Sequence, residues 1–348
     1  MRRTIRHIPL LGTALAPAAA QAQGENRPMW YLETFGSPGN EITPILWGLL
    51  WLAIGVVVII AALVLAGVFL KTQRGVDMRR DQEAVSPPHD HSALRWMYGG
   101  LFATLAALSV FVVWTMMTMA DIRQPDGEAP ITIAITGHQW WWQVTYLSED
   151  ESRIFETANE IHVPVGVPVK FRLTSADVIH SFWVPAIASK TDLIPGQENT
   201  AWFRADTPGV YRGQCAEYCG KQHANMALRV VAESPEDFDA WWDMQLEPVE
   251  MPETEVAKMG MELFRLNCAA CHNIRGAMAG GEMGPDLSHL MERTTLASGM
   301  LPNTPGHLSG WIANPDVIKP GTLMPRTDLS GPELDAIRAF LLTLDQGA

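Results

Sequence analysis

Two long apolar segments near the N-terminus dominate the hydropathy pattern of this chain. Residues 45–70 and 97–120 contain no charged side chain over 26 and 24 positions, respectively. Each exceeds the roughly 20 residues that a helix needs to cross the hydrocarbon core of a bilayer. A buried helix of a soluble protein rarely continues this far without a charge, so the pattern predicts a transmembrane hairpin in a lipid bilayer.

Basic residues and the N-terminal pattern predict the orientation of this hairpin. The loop 71–96 carries five Lys and Arg residues, whereas residues 23–44 carry only Arg27, and such an excess marks cytoplasmic loops. Ahead of them, Arg2, Arg3 and Arg6 precede a short apolar segment and the small-residue cleavage pattern Ala20-Gln-Ala22. We therefore predict a signal peptide over 1–22 and an external segment over 23–44. The expected product is a two-pass protein of the bacterial inner (plasma) membrane, with its N-terminus and C-terminal domains on the periplasmic side.

After residue 120 the periodicity becomes that of short β-strands. Val169, Phe171 and Leu173 alternate with Lys170 and Arg172, as on a half-buried strand. Further short candidates follow at 200–204 and 227–231, with proline and glycine turns between them. We assign residues 129–246 to a β domain and predict that it is a sandwich or barrel.

A helical domain is predicted over residues 256–346, after an acidic, proline-containing linker over 247–255. Its first apolar stripe is predicted to consist of Val256, Met259, Leu263, Phe264 and Asn267. Its last stripe is predicted to consist of Leu334, Ile337, Leu341 and Leu344. The sequence Ser330-Gly-Pro-Glu333 before the last stripe is typical of a capping box with proline in the first turn.

Charge and cysteine content narrow the chemistry. The formal net charge is −13, and residues 121–348 hold 31 acidic and 16 basic side chains. This balance argues against nucleic acid as a partner, because phosphate binding needs a basic surface, whereas a basic protein partner suits this charge. The four cysteines form two close pairs, each with a histidine at ligand-like spacing, which favours metal or haem attachment over disulfides.

The first pair predicts a copper site. Cys215, Cys219, His223 and Met226 lie within twelve residues, and His180 precedes them. Thiolate, imidazole and thioether together are the ligands of copper electron-transfer sites. Two cysteines four apart can bridge two metal ions, which a mononuclear copper site does not require. A structural zinc site and a disulfide with bystander histidines are the alternatives, although zinc would not use Met226.

The second pair predicts a covalently bound haem. Cys268-Ala-Ala-Cys271-His272 is the attachment motif of c-type haem, in which the histidine is an axial iron ligand. A zinc or redox C-x-x-C motif is the alternative. Among several later methionines, Met324 is the favoured second axial ligand because of its late position and the adjacent Pro325. The other candidates are Met278, Met283, Met291, Met300, His289 and His307.

These motifs resemble subunit II of the cytochrome c oxidases. The similarity includes Gly137-His-Gln-Trp-Trp-Trp142, Asp177-Val-Ile-His-Ser181 and Lys190-Thr-Asp-Leu-Ile-Pro-Gly196, and it covers the hairpin and the β domain. It implies a cupredoxin-like sandwich with a dinuclear CuA centre. The implied roles are bridging thiolates at Cys215 and Cys219, terminal ligands at His180 and His223, a weak ligand at Met226, a backbone carbonyl ligand at Glu217, and electron input at Trp140. The Glu217 carboxylate would also reach a Mg ion at the interface with subunit I.

The helical domain resembles the class I cytochrome c domain that is fused to some bacterial subunits II. Gly260 and Phe264 stand where such domains pack the first helix against the last, and Lys319-Pro-Gly-Thr-Leu-Met-Pro325 resembles the loop of the second axial ligand. The expected architecture is therefore a two-helix hairpin, an all-β cupredoxin-like sandwich and an all-α class I cytochrome c domain.

The resemblance implies an electron-input subunit of a haem–copper terminal oxidase. It would accept electrons from a soluble or membrane cytochrome c through its own haem c and CuA, and pass them to subunit I, with subunit III as a further expected partner. Oxygen reduction would belong to subunit I. A subunit of a nitric oxide reductase and a membrane-tethered copper-delivery protein are the alternative functions.

Overall fold

The computed structural model describes residues 26–27, 29–70, 91–125, 127–277 and 279–344. The predicted signal peptide and residues 71–90 of the predicted cytoplasmic loop lie outside these ranges. The helices are α1 Gly39–Leu70, α2 His91–Asp121, α3 Pro235–Leu246, α4 Glu255–Asn267, α5 Pro305–Ala313, α6 Pro315–Ile318 and α7 Gly331–Leu341. The strands are β1 Asn26–Arg27, β2 Gly36–Ser37, β3 Ile131–His138, β4 Trp141–Leu147, β5 Phe155–Ala158, β6 Glu160–Pro164, β7 Val169–Ser175, β8 His180–Phe182, β9 Thr191–Leu193, β10 Asn199–Ala205, β11 Gly209–Gln214, β12 Ala227–Glu233, β13 Asn273–Ile274, β14 Ala279–Gly280, β15 Thr295–Leu296 and β16 Leu301–Pro302.

The two apolar segments form helices that are long enough to span a bilayer. Both α1 and α2 begin six residues before the charge-free segments, because helical hydrogen bonding continues past the part that is free of charge. The 18-residue apolar windows within them have mean hydropathies of 3.1 and 2.0, and most of their apolar side chains are exposed. They contact each other where Gly48 lies against Phe111 and Trp114, since a Cβ atom at Gly48 would be 3.1 Å from each ring.

The β domain is a sandwich of two sheets. One sheet has six strands in the order β2-β10-β7-β3-β4-β5, and the other has four in the order β1-β11-β12-β6. The alternation predicted for residues 169–173 is confirmed, since Val169, Phe171 and Leu173 are buried while Lys170 and Arg172 are exposed. Aliphatic and aromatic side chains from the two sheets share one core.

A helix that the sequence pattern did not predict, α3, closes one side of the sandwich. Its N-cap Ser234 accepts a hydrogen bond from the Asp237 amide. Phe238 and Trp242 pack against Tyr146, with ring centroids 6.5 and 5.2 Å from it. The helix is only twelve residues long and four of them are acidic, which leaves too few apolar positions for a helical stripe to stand out in the sequence.

The helical domain is held by the crossing of its first and last helices. A Cβ atom at Gly260 would lie 1.9 Å from the Ala336 carbonyl oxygen, and Phe264 meets Phe340 edge to face at 5.7 Å. This confirms the packing predicted for Gly260 and Phe264. The capping box at Ser330 and Glu333 is also confirmed.

The stripe predicted for α4 was partly wrong. Val256 and Met259 are 51% and 49% exposed, and the buried side of the helix consists of Ala257, Gly260 and Phe264. Close approach of two helix backbones requires small residues at the crossing, so α4 turns its small residues inward rather than its largest aliphatic ones.

The segment between α3 and α4 packs against the helical domain. Val249 is buried in the core of that domain, and its amide donates to the Arg275 carbonyl oxygen at 3.1 Å. Val249, which was assigned to the linker, therefore belongs to the core of the helical domain.

Candidate metal centres and the contact between the domains

The first cysteine pair lies on a loop that joins two neighbouring strands of the four-stranded sheet. Cys215 follows β11, and Met226 precedes β12. The Cys215 amide donates to the Met226 carbonyl oxygen at 2.9 Å, which closes the loop at its base. His180 begins β8 and reaches the same place from elsewhere in the chain, because the Ala216 amide donates to the Ser181 carbonyl oxygen at 3.0 Å.

The loop brings together all six of the residues that the sequence predicts as copper ligands. The sulfur atoms of Cys215 and Cys219 are 3.7 Å apart. The remaining contacts are His180 Nδ1 to Cys215 Sγ at 3.9 Å, His223 Nδ1 to Cys219 Sγ at 3.6 Å, Met226 Sδ to Cys219 Sγ at 3.8 Å, and the Glu217 carbonyl oxygen to Cys215 Sγ at 3.2 Å. Every donor type that the motif offered therefore faces the two sulfur atoms.

This geometry discriminates between the alternatives for the site. A sulfur separation of 3.7 Å is far from the roughly 2.05 Å of a disulfide. The donor atoms of His180, Cys215 and Cys219 lie within 4.8 Å of one another, whereas His223 approaches Cys219 and falls outside this mutually close group. A single tetrahedral zinc ion needs all four donors around one point. One histidine beside each thiol instead fits two metal ions that share the sulfur atoms.

The pKa values of the two neighbouring thiols also favour the binding of a cation. Hydrogen bonding with the Cys219 thiol lowers the pKa of Cys215 to about 4, with His180 acting in the same direction. The neighbouring Cys215 and burial raise the pKa of Cys219. One thiolate therefore forms readily, and a second thiolate beside it requires a positive charge.

Two further residues fix the orientation of His180. Its Nε2 atom is 2.8 Å from Asp177 Oδ1, which leaves Nδ1 directed at Cys215. The imidazole packs directly on Gly137, where a Cβ atom would lie 2.8 Å from the ring. The glycine of the Gly137-His-Gln-Trp-Trp-Trp142 motif is thus required by the position of a histidine 43 residues later.

Trp140 lies directly beneath the cysteine loop. Its indole Nε1 donates to the Cys219 carbonyl oxygen at 3.0 Å, and Gln139 Nε2 donates to the same oxygen at 2.7 Å. Only 8% of Trp140 is exposed, because the helical domain covers it.

The second cysteine pair follows α4, as a haem-attachment motif requires. Cys268 and Cys271 are partly exposed and free of disulfides. His272 Nδ1 donates to the Pro285 carbonyl oxygen at 2.8 Å, so that Nε2 is the nitrogen available to a metal. Burial lowers the pKa of His272, which favours the neutral, ligating imidazole. A Cβ atom at Gly284 would lie 2.7 Å from the imidazole, so only glycine fits there.

The structure distinguishes Met324 from two of its competitors. Met324 is half-buried in the extended segment between α6 and α7. Met283 is 78% exposed, and His307 Nδ1 is engaged by the Thr304 hydroxyl at 2.9 Å. Met278 lies outside the described residues.

Comparison with known proteins agrees with both sites. The family model for the periplasmic domain of cytochrome c oxidase subunit II matches residues 144–234, and that for cytochrome c matches residues 257–345. Cytochrome c oxidase subunit 2 of Alkalihalophilus pseudofirmus is 36% identical over 270 residues, which cover 76% of this chain and 77% of that protein. The chain belongs to the cytochrome c oxidase subunit II family.

Further relatives carry the same description. Subunit 2 of the Bacillus subtilis oxidase is 31% identical over 255 residues, which cover 68% of this chain and 70% of that protein. The crystal structure of the periplasmic domain of subunit II of Bradyrhizobium japonicum cytochrome oxidase is 35% identical, with a TM-score of 0.32 over 34% of this chain and 95% of that one. The expected hairpin, cupredoxin-like domain and cytochrome c domain are all confirmed in this subunit II.

The β domain and the helical domain contact each other around Trp140. Lys319 Nζ and Ser298 Oγ both donate to the Trp140 carbonyl oxygen, at 2.7 and 2.8 Å. Thr294 and Arg293 form a second contact between the two domains. Thr294 Oγ1 donates to Glu160 at 2.6 Å, and Arg293 donates to Thr157 at 3.1 Å.

Sequence reasoning missed several residues that position the site. Asp177 and Gly137 both belong to the motifs that resemble the family. Their proximity to His180 could therefore have been inferred from those motifs. Lys319 also lies in a quoted motif, but its contact with Trp140 crosses between domains and had no signal in the sequence.

Proposed function

We propose that this chain is the electron-input subunit of a haem–copper terminal oxidase, and that Trp140 links its two redox centres. The observation that supports this best is the position of Trp140. Its carbonyl oxygen is bound by the helical domain, while its indole donates to the carbonyl oxygen of Cys219. One residue thus touches both the cytochrome domain and the thiol loop.

The residues of the β domain fit a dinuclear copper centre. Cys215 and Cys219 would bridge the ions, His180 and His223 would each bind one of them, and Met226 and the Glu217 carbonyl oxygen would complete the ligand set. Such a centre supplies reversible one-electron transfer with little change in geometry. The protein orients His180 through Asp177 and buries both sulfur atoms, which keeps water from the thiolates.

The residues of the helical domain fit a c-type haem. Cys268 and Cys271 would bind it covalently, His272 would ligate the iron and Met324 would be the second axial ligand. Histidine with methionine gives a high haem potential, which suits a donor to copper. Pro285 orients His272 through its carbonyl oxygen, and the covering of Trp140 directs electrons from an external cytochrome c to the haem.

The expected membrane location and partner subunits of the chain follow from its family membership. The hairpin fits a two-pass membrane protein, and subunit I of the oxidase is its catalytic partner. We propose that both C-terminal domains lie on the periplasmic side, that subunit III and a cytochrome c donor also bind, and that the half-buried Glu217 carboxylate holds Mg at the interface with subunit I. Residues 129–246 and 256–346 are the proposed limits of the two extramembrane domains.

Purification of the whole chain from membranes tests this proposal. We expect a c-type haem spectrum, a near-infrared band of mixed-valence copper, copurification with an oxygen-reducing subunit, and oxygen consumption driven by reduced cytochrome c. A haem spectrum without the copper band would contradict the dinuclear site and favour a copper-delivery protein. Copurification with a nitric oxide-reducing subunit would contradict the assignment to an oxygen reductase.

A further inference from the structure

A buried lysine of the helical domain ends on the backbone of Trp140. Lys319 is 3% exposed, and its Nζ atom donates to the Trp140 carbonyl oxygen at 2.7 Å and to the Ala297 carbonyl oxygen at 3.1 Å. Ala297 belongs to the helical domain and Trp140 to the β domain. The adjacent Ser298 hydroxyl donates to the same Trp140 oxygen at 2.8 Å. The lysine therefore completes its hydrogen bonds only when the two domains are docked.

The two residues after this lysine continue the contact. The Pro320 carbonyl oxygen accepts a hydrogen bond from the buried Gln222 side chain at 2.8 Å. Gly321 has φ +92°, and a Cβ atom there would lie 3.4 Å from Cη2 of Trp140. Three consecutive residues thus contact the backbone of Trp140, the cysteine loop and the indole ring, respectively.

We propose that Lys319-Pro320-Gly321 is a docking latch that holds the cytochrome domain on Trp140 and so positions the haem for transfer to copper. This inference rests on the proposed function. Met324 follows Gly321 by three residues, so the latch ties the segment of the proposed axial ligand to the residue that contacts the cysteine loop. Lys319 is a positioning residue, because it touches neither proposed centre.

The cost of burying a lysine argues against a role in simple packing. An apolar side chain of similar length would fill the same volume without desolvating an amine. A buried amine is tolerated here because two carbonyl oxygens, one from each domain, accept its hydrogen bonds. Burial lowers the pKa of Lys319 to about 7, and both the amine and the ammonium have enough N–H groups for the two acceptors.

A backbone amide at the seam reports the docked state directly. The Ala227 amide, on β12, donates to the Ser298 carbonyl oxygen across the domain boundary at 3.1 Å. Its exchange with deuterium requires that this contact open. We would compare exchange at Ala227 in the complete oxidase for the wild type, Lys319→Met and the control Lys258→Met, which removes an exposed lysine of α4 that pairs with Glu255.

If the latch holds the domains together, deuterium exchange at the Ala227 amide should be about tenfold faster in Lys319→Met. This is the effect expected from the loss of one hydrogen bond to a charged group. Amides within α4 and α7 should exchange as in the wild type. Haem-to-copper electron transfer should slow only as far as the docked population falls and should become sensitive to solvent viscosity, since an opened domain must redock, while both spectra and both potentials stay unchanged. Lys258→Met should match the wild type in every measurement.

Unchanged exchange at Ala227 and an unchanged transfer rate in Lys319→Met would overturn the latch while leaving the two centres, seen by their spectra, in place. Loss of both centres in the wild type would instead overturn the proposed function. If Lys319→Met does not accumulate, Ser298→Ala removes one hydroxyl from the same oxygen. It should raise exchange at Ala227 by a smaller factor, and no change there would equally count against the latch.

Discussion

The indole Nε1 of Trp140 donates to the carbonyl oxygen of Cys219 at 3.0 Å. Cys219 is one of the two thiols of the proposed copper site, and its sulfur atom contacts Cys215, His223 and Met226. The residue that the family resemblance marks for electron input is therefore one hydrogen bond from the backbone of a proposed bridging ligand. Because the cytochrome domain covers Trp140, this contact lies between the two proposed centres.

Trp140→Phe should slow haem-to-copper electron transfer while leaving both centres assembled. Phenylalanine keeps an aromatic ring at this position but has no N–H group for the Cys219 carbonyl oxygen. Flash reduction of the haem, followed by absorption of the copper centre, measures the rate. Trp141→Phe is the control, because Trp141 stacks on His138 instead, at 4.4 Å. Equal rates in wild type and Trp140→Phe would refute this route.

Cys219→Ser should abolish the mixed-valence near-infrared band and leave a mononuclear site with lower copper content. A serine hydroxyl is a harder ligand than a thiolate and stays protonated near neutral pH, so it cannot bridge two coppers comparably. Metal analysis and near-infrared absorption test this outcome, and the haem spectrum should stay as in the wild type. Retention of the band would exclude Cys219 as a bridging ligand.

Gly137→Ala should weaken copper binding through displacement of His180. The added Cβ atom would lie 2.8 Å from the imidazole, so the ring must shift. Overpacking of this kind costs roughly 1–3 kcal/mol. Copper titration against a competing chelator measures the loss, and Gly306→Ala is the control because nothing lies within 4 Å of that position. Normal copper affinity in Gly137→Ala would show that the ring has room to move.

Gly260→Ala should destabilise the cytochrome domain by roughly 1–3 kcal/mol. Its Cβ atom would lie 1.9 Å from the Ala336 carbonyl oxygen and would force α4 and α7 apart. Denaturant unfolding monitored at the haem absorption band measures the change. Gly331→Ala, at an open position on α7, is the matched control. Similar midpoints for the two variants would argue against a tight crossing.

His162 should make the stability of the β domain depend on pH. Burial lowers the pKa of His162, but hydrogen bonds with Glu160 and Glu233 outweigh it and raise the pKa to about 8. The imidazole also stacks on Trp241 at 4.1 Å. Because the folded pKa exceeds the unfolded value of roughly 6.5, the stabilisation is complete below pH 6.5 and disappears as the pH rises through 8. Its size is about 2 kcal/mol.

Thermal unfolding of the wild type and His162→Gln at pH 6 and pH 9 tests this linkage. The wild type should lose stability between the two values, while the variant should change less over the same interval. A wild-type unfolding temperature that rises from pH 6 to pH 9 would show that the sign is wrong. His138→Gln is the control, because burial lowers the pKa of that histidine instead.

The sequence by itself determined the elements whose signals are local. Long segments without charged residues identified the two membrane helices. The alternation of apolar and charged residues identified β7, and the capping box identified the start of α7. The copper loop and the haem motif were also local, because most of their donors lie within twelve residues or fewer. Short spacing fixes such donors on one loop, so side-chain types and separations were enough to predict both sites.

Only the tertiary structure decided how distant segments meet. Gly137 on β3 contacts His180 on β8 although the two strands belong to different sheets, and α4 turns Gly260 inward because α7 crosses there. The contact between Lys319 and Trp140 joins residues 179 positions apart in two domains. Hydrogen bonds between domains leave no periodicity in a sequence, since they depend on the shapes of two folded surfaces, and the covering of Trp140 therefore became visible only in three dimensions.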